Sequence, residues 1–189
     1  MKNLKERQQE ILEAAIELFK EKGFVGASMR DLAAKLDIKA ASLYAHIQSK
    51  EELLEWICFG IAEDFFNHLK TVEAAPLKAS EKLNFFIESH LQVVLANPDI
   101  TDIYSHEWKH LGGSLNHFIS LRKKYQLKVE ALLESIFHEL HKPSTSIKFT
   151  TKFLLHTLNN SFYWENFEEK TPDEMICEIK HKVLYGLLG

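Results

Sequence analysis

Between Ser28 and Lys50 the chain carries a serine hydroxyl, a tyrosine hydroxyl, an imidazole and an ammonium group. Two short helices and the start of a third would bring them to one surface. Ser28 precedes a helical pattern, so its hydroxyl and the first backbone N–H groups can meet an anion. Tyr44 and His46 close the next short segment, and Lys50 opens a third. Donors and a cation in this arrangement suit the phosphate oxygens of a nucleic-acid backbone. Lys39, Ala40, Ala41, Ser42 and Ala45 fall on the exposed face of the middle segment, where base edges would lie. The three alanines can touch thymine methyl groups but supply no hydrogen bonds. Arg30, one helix earlier, carries the fork that pairs with guanine. Each residue also has a plainer reading: Tyr44 as a packing ring, His46 as a turn cap, Arg30 as a solvated surface group.

The elements that must position these groups follow from local chemistry. Ser28 with Asp31 three residues on makes an aspartate version of the capping box, followed by Leu32, Ala33 and Leu36 on one face. Asp37-Ile38 forms the turn, with Asp37 in a left-handed backbone and Ile38 tucked beneath both helices. The next helix is predicted over 39–46, burying Leu43. Ser49-Lys50-Glu51-Glu52 is a second capping box, opening a long helix with Leu53, Leu54 and Ile57 inside. Upstream, Ile11, Leu12, Ala15, Leu18 and Phe19 repeat with helical period, predicting a first helix over 5–22 capped by Gly23. The joint spacing reads as a helix-turn-helix unit.

From Ile11 to Leu54 the chain resembles the N-terminal domain of TetR-family transcriptional regulators. The matching residues are Ala14-Ala15, Leu18-Phe19, Gly23-Phe24, Ser28, Asp31-Leu32-Ala33, Leu36, Ile38, Ser42-Leu43-Tyr44, His46 and Ser49-Lys50-Glu51-Glu52-Leu53. Asp37 stands where such proteins usually have glycine. The resemblance implies an all-α homodimer: a helix-turn-helix DNA-binding domain at 1–49, then a helical regulatory domain at 50–189 that binds a small molecule and dimerises. It also implies backbone contacts to DNA from Ser28, Tyr44, His46 and Lys50.

Composition agrees with this reading. Seven glycines, four prolines and 46% hydrophobic residues suit a helical chain with a substantial core. The net charge of −4 is unevenly distributed. Residues 1–50 carry nine basic against seven acidic side chains, and the remainder carries fourteen against twenty. DNA binding would then depend on a few placed cations rather than a broad basic field. The charged N-terminus does not read as a signal peptide, and no run of about twenty apolar residues would span a membrane, so a cytoplasmic protein is expected. Cys58 and Cys177, far apart in sequence, read as unpaired core thiols.

Beyond residue 50, breaks at Ala74-Ala75-Pro76, Asn97-Pro98, Gly112-Gly113 and Lys142-Pro143 divide the chain into helices over 50–71, 80–96, 98–110, 114–141, 145–167 and 171–188. Thr171-Pro172-Asp173-Glu174 caps the last. The total is nine helices. The family resemblance assigns the last two to a four-helix dimer interface, which would set the recognition helices about 34–36 Å apart for a palindromic operator. The regulatory half is rich in aromatic residues, most of them core formers, which would also suit an apolar pocket. A weaker resemblance to acyl-CoA- and fatty-acid-responsive members runs through Glu107-Trp108-Lys109-His110-Leu111, Leu121-Arg122-Lys123-Lys124-Tyr125 and Tyr163-Trp164. It implies an acyl-CoA or fatty-acid effector among Phe86, Tyr104, Trp108, Phe118, Arg122, Tyr125 and Phe153, with Arg122 near an anionic head group.

Glu107-x-x-His110 and Glu178-x-x-His181 have the spacing of di-iron helical bundles, but chance produces such matches in a chain with ten histidines. No phosphate loop, nucleophile elbow or HExxH occurs, so neither an enzyme nor a cofactor or metal is expected. The competing readings are a DNA-binding dimer that responds to no ligand and, less favoured, a metal-binding helical bundle.

Overall fold

A computed structural model of the chain describes residues 4–141, 146–163 and 170–188, with side-chain detail up to 187. Among these residues there are nine α-helices and three short 3-10 turns, and no strand. The helices are α1 (Glu6–Gly26), α2 (Met29–Lys35), α3 (Ala40–Leu43), α4 (Lys50–Ala74), α5 (Ala79–Ala96), α6 (Pro98–His106), α7 (Leu115–Glu139), α8 (Ile147–Asn159) and α9 (Pro172–Leu188).

The expected punctuation is physically present. The Ser28 hydroxyl accepts from the Asp31 N–H at 3.1 Å, and the Asp31 carboxylate accepts from the Ser28 N–H at 3.0 Å. Thr171 and Glu174 exchange the same pair of bonds at the start of α9. At α4 the Ser49 hydroxyl accepts from the Glu52 N–H, but the Glu52 carboxylate reaches back to Gln48 rather than Ser49. Asp37 adopts φ 51°, as a left-handed turn residue.

Several boundaries differ from the sequence reading; α4, for one, runs on to Ala74 rather than ending at 71. Gly23 (φ 68°) interrupts α1 without ending it, and one further turn follows to Gly26. The recognition segment is regular only over Ala40–Leu43, and 44–46 continue as turn, closed by His46 N–H donating to the Leu43 carbonyl at 2.9 Å. Helix α6 ends at His106, and Trp108–His110 tightens into a 3-10 turn. Helix α8 ends at Asn159, and residues 164–167 of its predicted span lie outside the described residues. Ile38 and Leu36 are half-buried rather than fully enclosed, and Cys177 is exposed on α9 while Cys58 is buried in α4.

Contacts divide the chain into two compact units that do not follow the linear boundary expected at 49/50. The first joins Met1–Glu63 to Asp99–Ser120; the second joins Asp64–Pro98 to Leu121–Gly189. The division therefore falls inside α4 and inside α7. In the first unit, Ile11, Leu12, Leu32, Leu43, Leu53 and Leu54 are enclosed in a core that removes their apolar surface from water. The segment 99–120 belongs there because it makes specific contacts with it. Lys20 pairs with Asp99 at 2.7 Å, Glu107 accepts from the Phe24 N–H, and Phe59 meets Phe118 edge-on at 5.3 Å. In the second unit α5 is central, packed against α8 and α9, with Leu83, Phe86, Ile87, Leu91 and Val94 enclosed.

Candidate DNA interface and effector groove

In the first unit, Leu43 and Ile47 anchor the recognition segment by burial, which leaves the residues between and before them facing solvent. Lys39, Ala41, Ser42, Tyr44, Ala45 and His46 are exposed, Ala40 is half-buried, and Arg30 and Ser28 are exposed on and before α2. Tyr44 retains 55% of its surface, so its ring is not a core element. The Gln8 side chain donates to the His46 carbonyl at 3.0 Å, tying the end of the segment to α1.

Two of the expected phosphate donors have other partners. The Ser28 hydroxyl donates to the Asp31 carboxylate, whose acid is held at about 2, chiefly by that bond and then by Lys22 at 2.9 Å. A phosphate at Ser28 would therefore meet a carboxylate. The Lys50 ammonium donates to the carbonyls of Phe24 (2.6 Å) and Ala27 (2.8 Å) and sits 4.3 Å from the Phe24 ring centroid. It closes the α1–α2 connection onto the start of α4. Phe24 is held from every side: the Glu107 carboxylate takes its N–H at 3.3 Å, and His110 stacks on its ring at 5.3 Å. A side chain at Gly23 would place Cβ 3.4 Å from that same Glu107 oxygen, at a φ that disfavours any side chain.

The seven residues expected to line an effector pocket are divided between the two units. Tyr104, Trp108 and Phe118 belong to the first unit, where both other rings flank Phe118 at 5.6 and 6.5 Å. Phe86, Arg122, Tyr125 and Phe153 belong to the second. There Phe86 and Tyr125 are buried, Arg122 is half-buried and Phe153 is exposed on α8. Aromatic content cannot tell which face of which unit a ring occupies.

The second unit contains polar chemistry that the sequence reading missed. Two buried histidines, His68 on α4 and His90 on α5, flank the hydroxyl of Tyr125 on α7. His68 Nε2 lies 2.8 Å from it and His90 Nδ1 lies 3.1 Å from it. His68 Nδ1 meets the Ser89 hydroxyl at 3.1 Å, and His90 Nε2 meets the Asn159 amide oxygen at 2.8 Å. Phe65 stacks on His90 at 4.7 Å. Burial, and secondarily repulsion between the two rings, pushes His68 down to about 2. Burial pushes His90 down to about 4 against the opposing bond to Asn159. Both imidazoles are therefore neutral donors and acceptors at neutral pH. The available signal was a histidine on an otherwise apolar helix face: Phe65, Leu69 and Val72 around His68, and Phe86, Ile87 and Val94 around His90. Beside this cluster, α4 and α5 flank an open groove of about 500 Å³ lined by Asp64, Asn67, His68, Thr71, Phe85, Ser89, Gln92, Val93, Ala96 and Asn97.

The paired motifs suggestive of metal have ordinary structural partners. Glu178 pairs with Lys170 and Lys182, which hold its acid at about 2, and Glu107 serves Phe24 and lies 3.6 Å from His110. Among the described residues no three His, Cys, Asp or Glu side chains gather as a metal would require, and no helix is long and apolar enough to cross a membrane. On α8 and α9, Phe149, Phe153 and Tyr185 are exposed, Phe149 at 70% and Tyr185 at 75%.

Comparison with known proteins matches residues 11–57 to the family model "Bacterial regulatory proteins, tetR family" and residues 76–175 to the model "Tetracyclin repressor-like, C-terminal domain". The HTH-type transcriptional repressor KstR2 of Rhodococcus jostii is 31% identical over 105 residues, covering 56% of this chain and 52% of that protein. This chain thus aligns with about half the length of that relative. The biofilm operon icaADBC negative transcriptional regulator IcaR of Staphylococcus epidermidis is 29% identical over 140 residues, covering 74% of this chain and 64% of that protein. Among solved structures, AibR in complex with isovaleryl coenzyme A and operator DNA shares the fold, with a TM-score of 0.81 at 24% identity, covering 95% of this chain and 97% of that one.

Proposed function

This chain belongs to the TetR family of bacterial regulatory proteins, and from that premise we propose that it is a homodimeric repressor. In this reading it holds a palindromic operator through residues 28–46 and releases it when a small molecule binds the second unit. The observation that carries the reading is the recognition segment itself. Leu43 and Ile47 are sunk in the core while Lys39, Ser42, Tyr44 and His46 face outward. Tyr44 and His46 donate to phosphates, Lys39 and Arg30 supply charge, and Ala40, Ala41 and Ala45 present methyl groups to the major groove. Lys50 and Ser28 act mainly by shaping the unit, since the Ser28 hydroxyl hydrogen and two of the three Lys50 ammonium hydrogens already have protein partners.

Dimerisation through α8 and α9 is supported by Phe149, Phe153 and Tyr185, apolar surface that a second copy would cover. Symmetry would then place two recognition segments on successive major grooves. The effector is an apolar or acyl-CoA-like molecule, a class consistent with the ligand of AibR. Its binding acts by preferring the conformation that cannot span both half-sites. A preference of about tenfold to a hundredfold corresponds to roughly 1.4–2.7 kcal/mol. The location is cytoplasmic, where the DNA is.

Fluorescence anisotropy of the full chain on DNA from upstream of its own gene tests this reading, with and without acyl-CoAs. Saturable, salt-sensitive binding that Tyr44→Phe weakens on every sequence and an effector reverses is expected. Failure to bind any DNA more tightly than a scrambled duplex would overturn it.

A further inference from the structure

We propose that Ser89, held by His68 in the groove between α4 and α5, recognises an uncharged carbonyl or hydroxyl oxygen on an otherwise apolar ligand, and that this site rejects a free carboxylate. The inference relies on the regulator reading only in calling the occupant an effector. Both side chains line the groove, and both are buried, each retaining 8% of its surface. They are therefore held in place by the protein yet within reach of a ligand entering between the helices.

The chain of hydrogen bonds behind them can run in two directions. In one, Ser89 donates to His68 Nδ1, His68 Nε2–H donates to the Tyr125 oxygen, Tyr125 donates to His90 Nδ1, and His90 Nε2–H donates to the Asn159 oxygen. Turning the Asn159 amide over permits the reverse. Its NH₂ then donates to His90 Nε2, His90 Nδ1–H to Tyr125, Tyr125 to His68 Nε2, and His68 Nδ1–H to Ser89. In the reverse direction the Ser89 hydroxyl hydrogen is left to the Phe85 carbonyl, 2.7 Å away. That carbonyl sits in mid-helix four residues before the Ser89 N–H, its ordinary helical donor. The serine hydrogen can therefore leave it for a ligand carbonyl at little cost. In the first direction the Ser89 oxygen keeps lone pairs for a ligand hydroxyl. The floor thus meets either uncharged oxygen group by reversing a chain whose members all stay satisfied.

A carboxylate finds no such welcome. The imidazoles behind Ser89 are neutral, none of the lining residues is lysine or arginine, and Asp64 adds a negative charge at the groove. An anion at Ser89 would therefore gain no counter-charge and would face the Asp64 carboxylate. The apolar part of the ligand has Phe85, Val93 and Ala96 to cover it. An acyl thioester, an ester or a ketone fits this chemistry, and a free fatty acid does not. Arg122, the expected head-group partner, is not among the groove residues.

The test uses three probes of matched shape: 4-phenylbutan-2-one, 3-phenylpropionate and propylbenzene, titrated calorimetrically onto the full chain and onto Ser89→Ala. The ketone should bind the wild-type protein, with its infrared carbonyl stretch lowered by the serine hydrogen bond, and 3-phenylpropionate should not bind. Ser89→Ala should weaken the ketone about fivefold to tenfold, abolish the infrared shift and leave propylbenzene unchanged. If Ser89→Ala does not fold, Ser89→Cys, with its weaker donor, replaces it. Equal binding of the carboxylate, equal loss of ketone and propylbenzene in the variant, or no ketone binding at millimolar concentration would overturn the proposal. DNA anisotropy on the same wild-type preparation separates the outcomes: intact DNA binding with a failed probe removes the ligand class alone, and lost DNA binding removes the regulator reading.

Discussion

Lowering the pH from 7 to 5 should destabilise this protein by a calculable amount, because it folds around two neutral imidazoles. His68 and His90 have ordinary values of 6.5, which burial pushes down to about 2 and about 4. Between those values and 6.5 the unfolded chain binds a proton at each site and the folded chain does not, so stability is complete above 6.5 and declines as pH falls. At pH 5 each site is 1.5 units below its unfolded value, which converts to about 2 kcal/mol per histidine, or about 4 kcal/mol for the pair. That is a large share of a typical folding free energy of about 5–15 kcal/mol. The carboxylates held low by partners, Asp31, Glu174 and Glu178, lose their contributions only below their ordinary values of 3.8 and 4.5, outside this window. Urea unfolding followed by circular dichroism at pH 5, 6 and 7, at one protein concentration, measures the effect. His90→Gln retains hydrogen-bonding groups but cannot charge, so it should lose about half the pH dependence while lowering stability at pH 7. If the variant and the wild type show the same slope, the buried network is not what senses acid.

Three further outcomes follow from the geometry. Lys50→Ala should destabilise the protein by about 1.5–3 kcal/mol through loss of its bonds to the Phe24 and Ala27 carbonyls. Its DNA affinity should fall with no change in the slope of log K against log salt, whereas a lost phosphate contact would reduce that slope by about 0.9. Glu107→Ala should lower the thermal midpoint by the equivalent of about 1 kcal/mol, because the Phe24 N–H loses its acceptor. Glu107→Gln, which keeps a carbonyl oxygen there, should restore most of it, and equal loss in both variants would argue against the hydrogen bond. Phe149→Glu, at an exposed position on α8, should leave the fold unchanged and halve the mass seen by light scattering. An unchanged mass would mean that α8 does not pair two copies.

Much of the N-terminal unit was legible because its signals are local. The capping residue Ser28 and the turn at Asp37 each act within a few residues of the chain, and the structure places them accordingly, as it does the Thr171 cap in the second unit. What the sequence could not show was competition for the same atoms. Nothing in Ser49-Lys50-Glu51-Glu52 says that the lysine will turn back to the carbonyls of Phe24 and Ala27, since that depends on the path of α1 and α2. The residues expected to line a pocket illustrate the same limit. Tyr104 and Tyr125 are both buried aromatics, yet they belong to different units, because the chain leaves the first unit within α4, returns to it for 99–120, and leaves again within α7. The histidine cluster escaped notice because His68, His90 and Tyr125 are drawn from three helices spread over nearly sixty positions.

That the first unit is assembled from two separate stretches has a practical consequence for anyone moving the proposed DNA-binding unit onto another protein. A cut at residue 49 or 57, where sequence comparison would place the boundary, discards the 99–120 part of the unit. Phe24 would lose Glu107 and His110, Lys20 would lose Asp99, and Phe59, if retained, would lose Phe118. A chimera that keeps its grip on DNA therefore has to inherit 99–120 as well, with a bridge replacing 64–98.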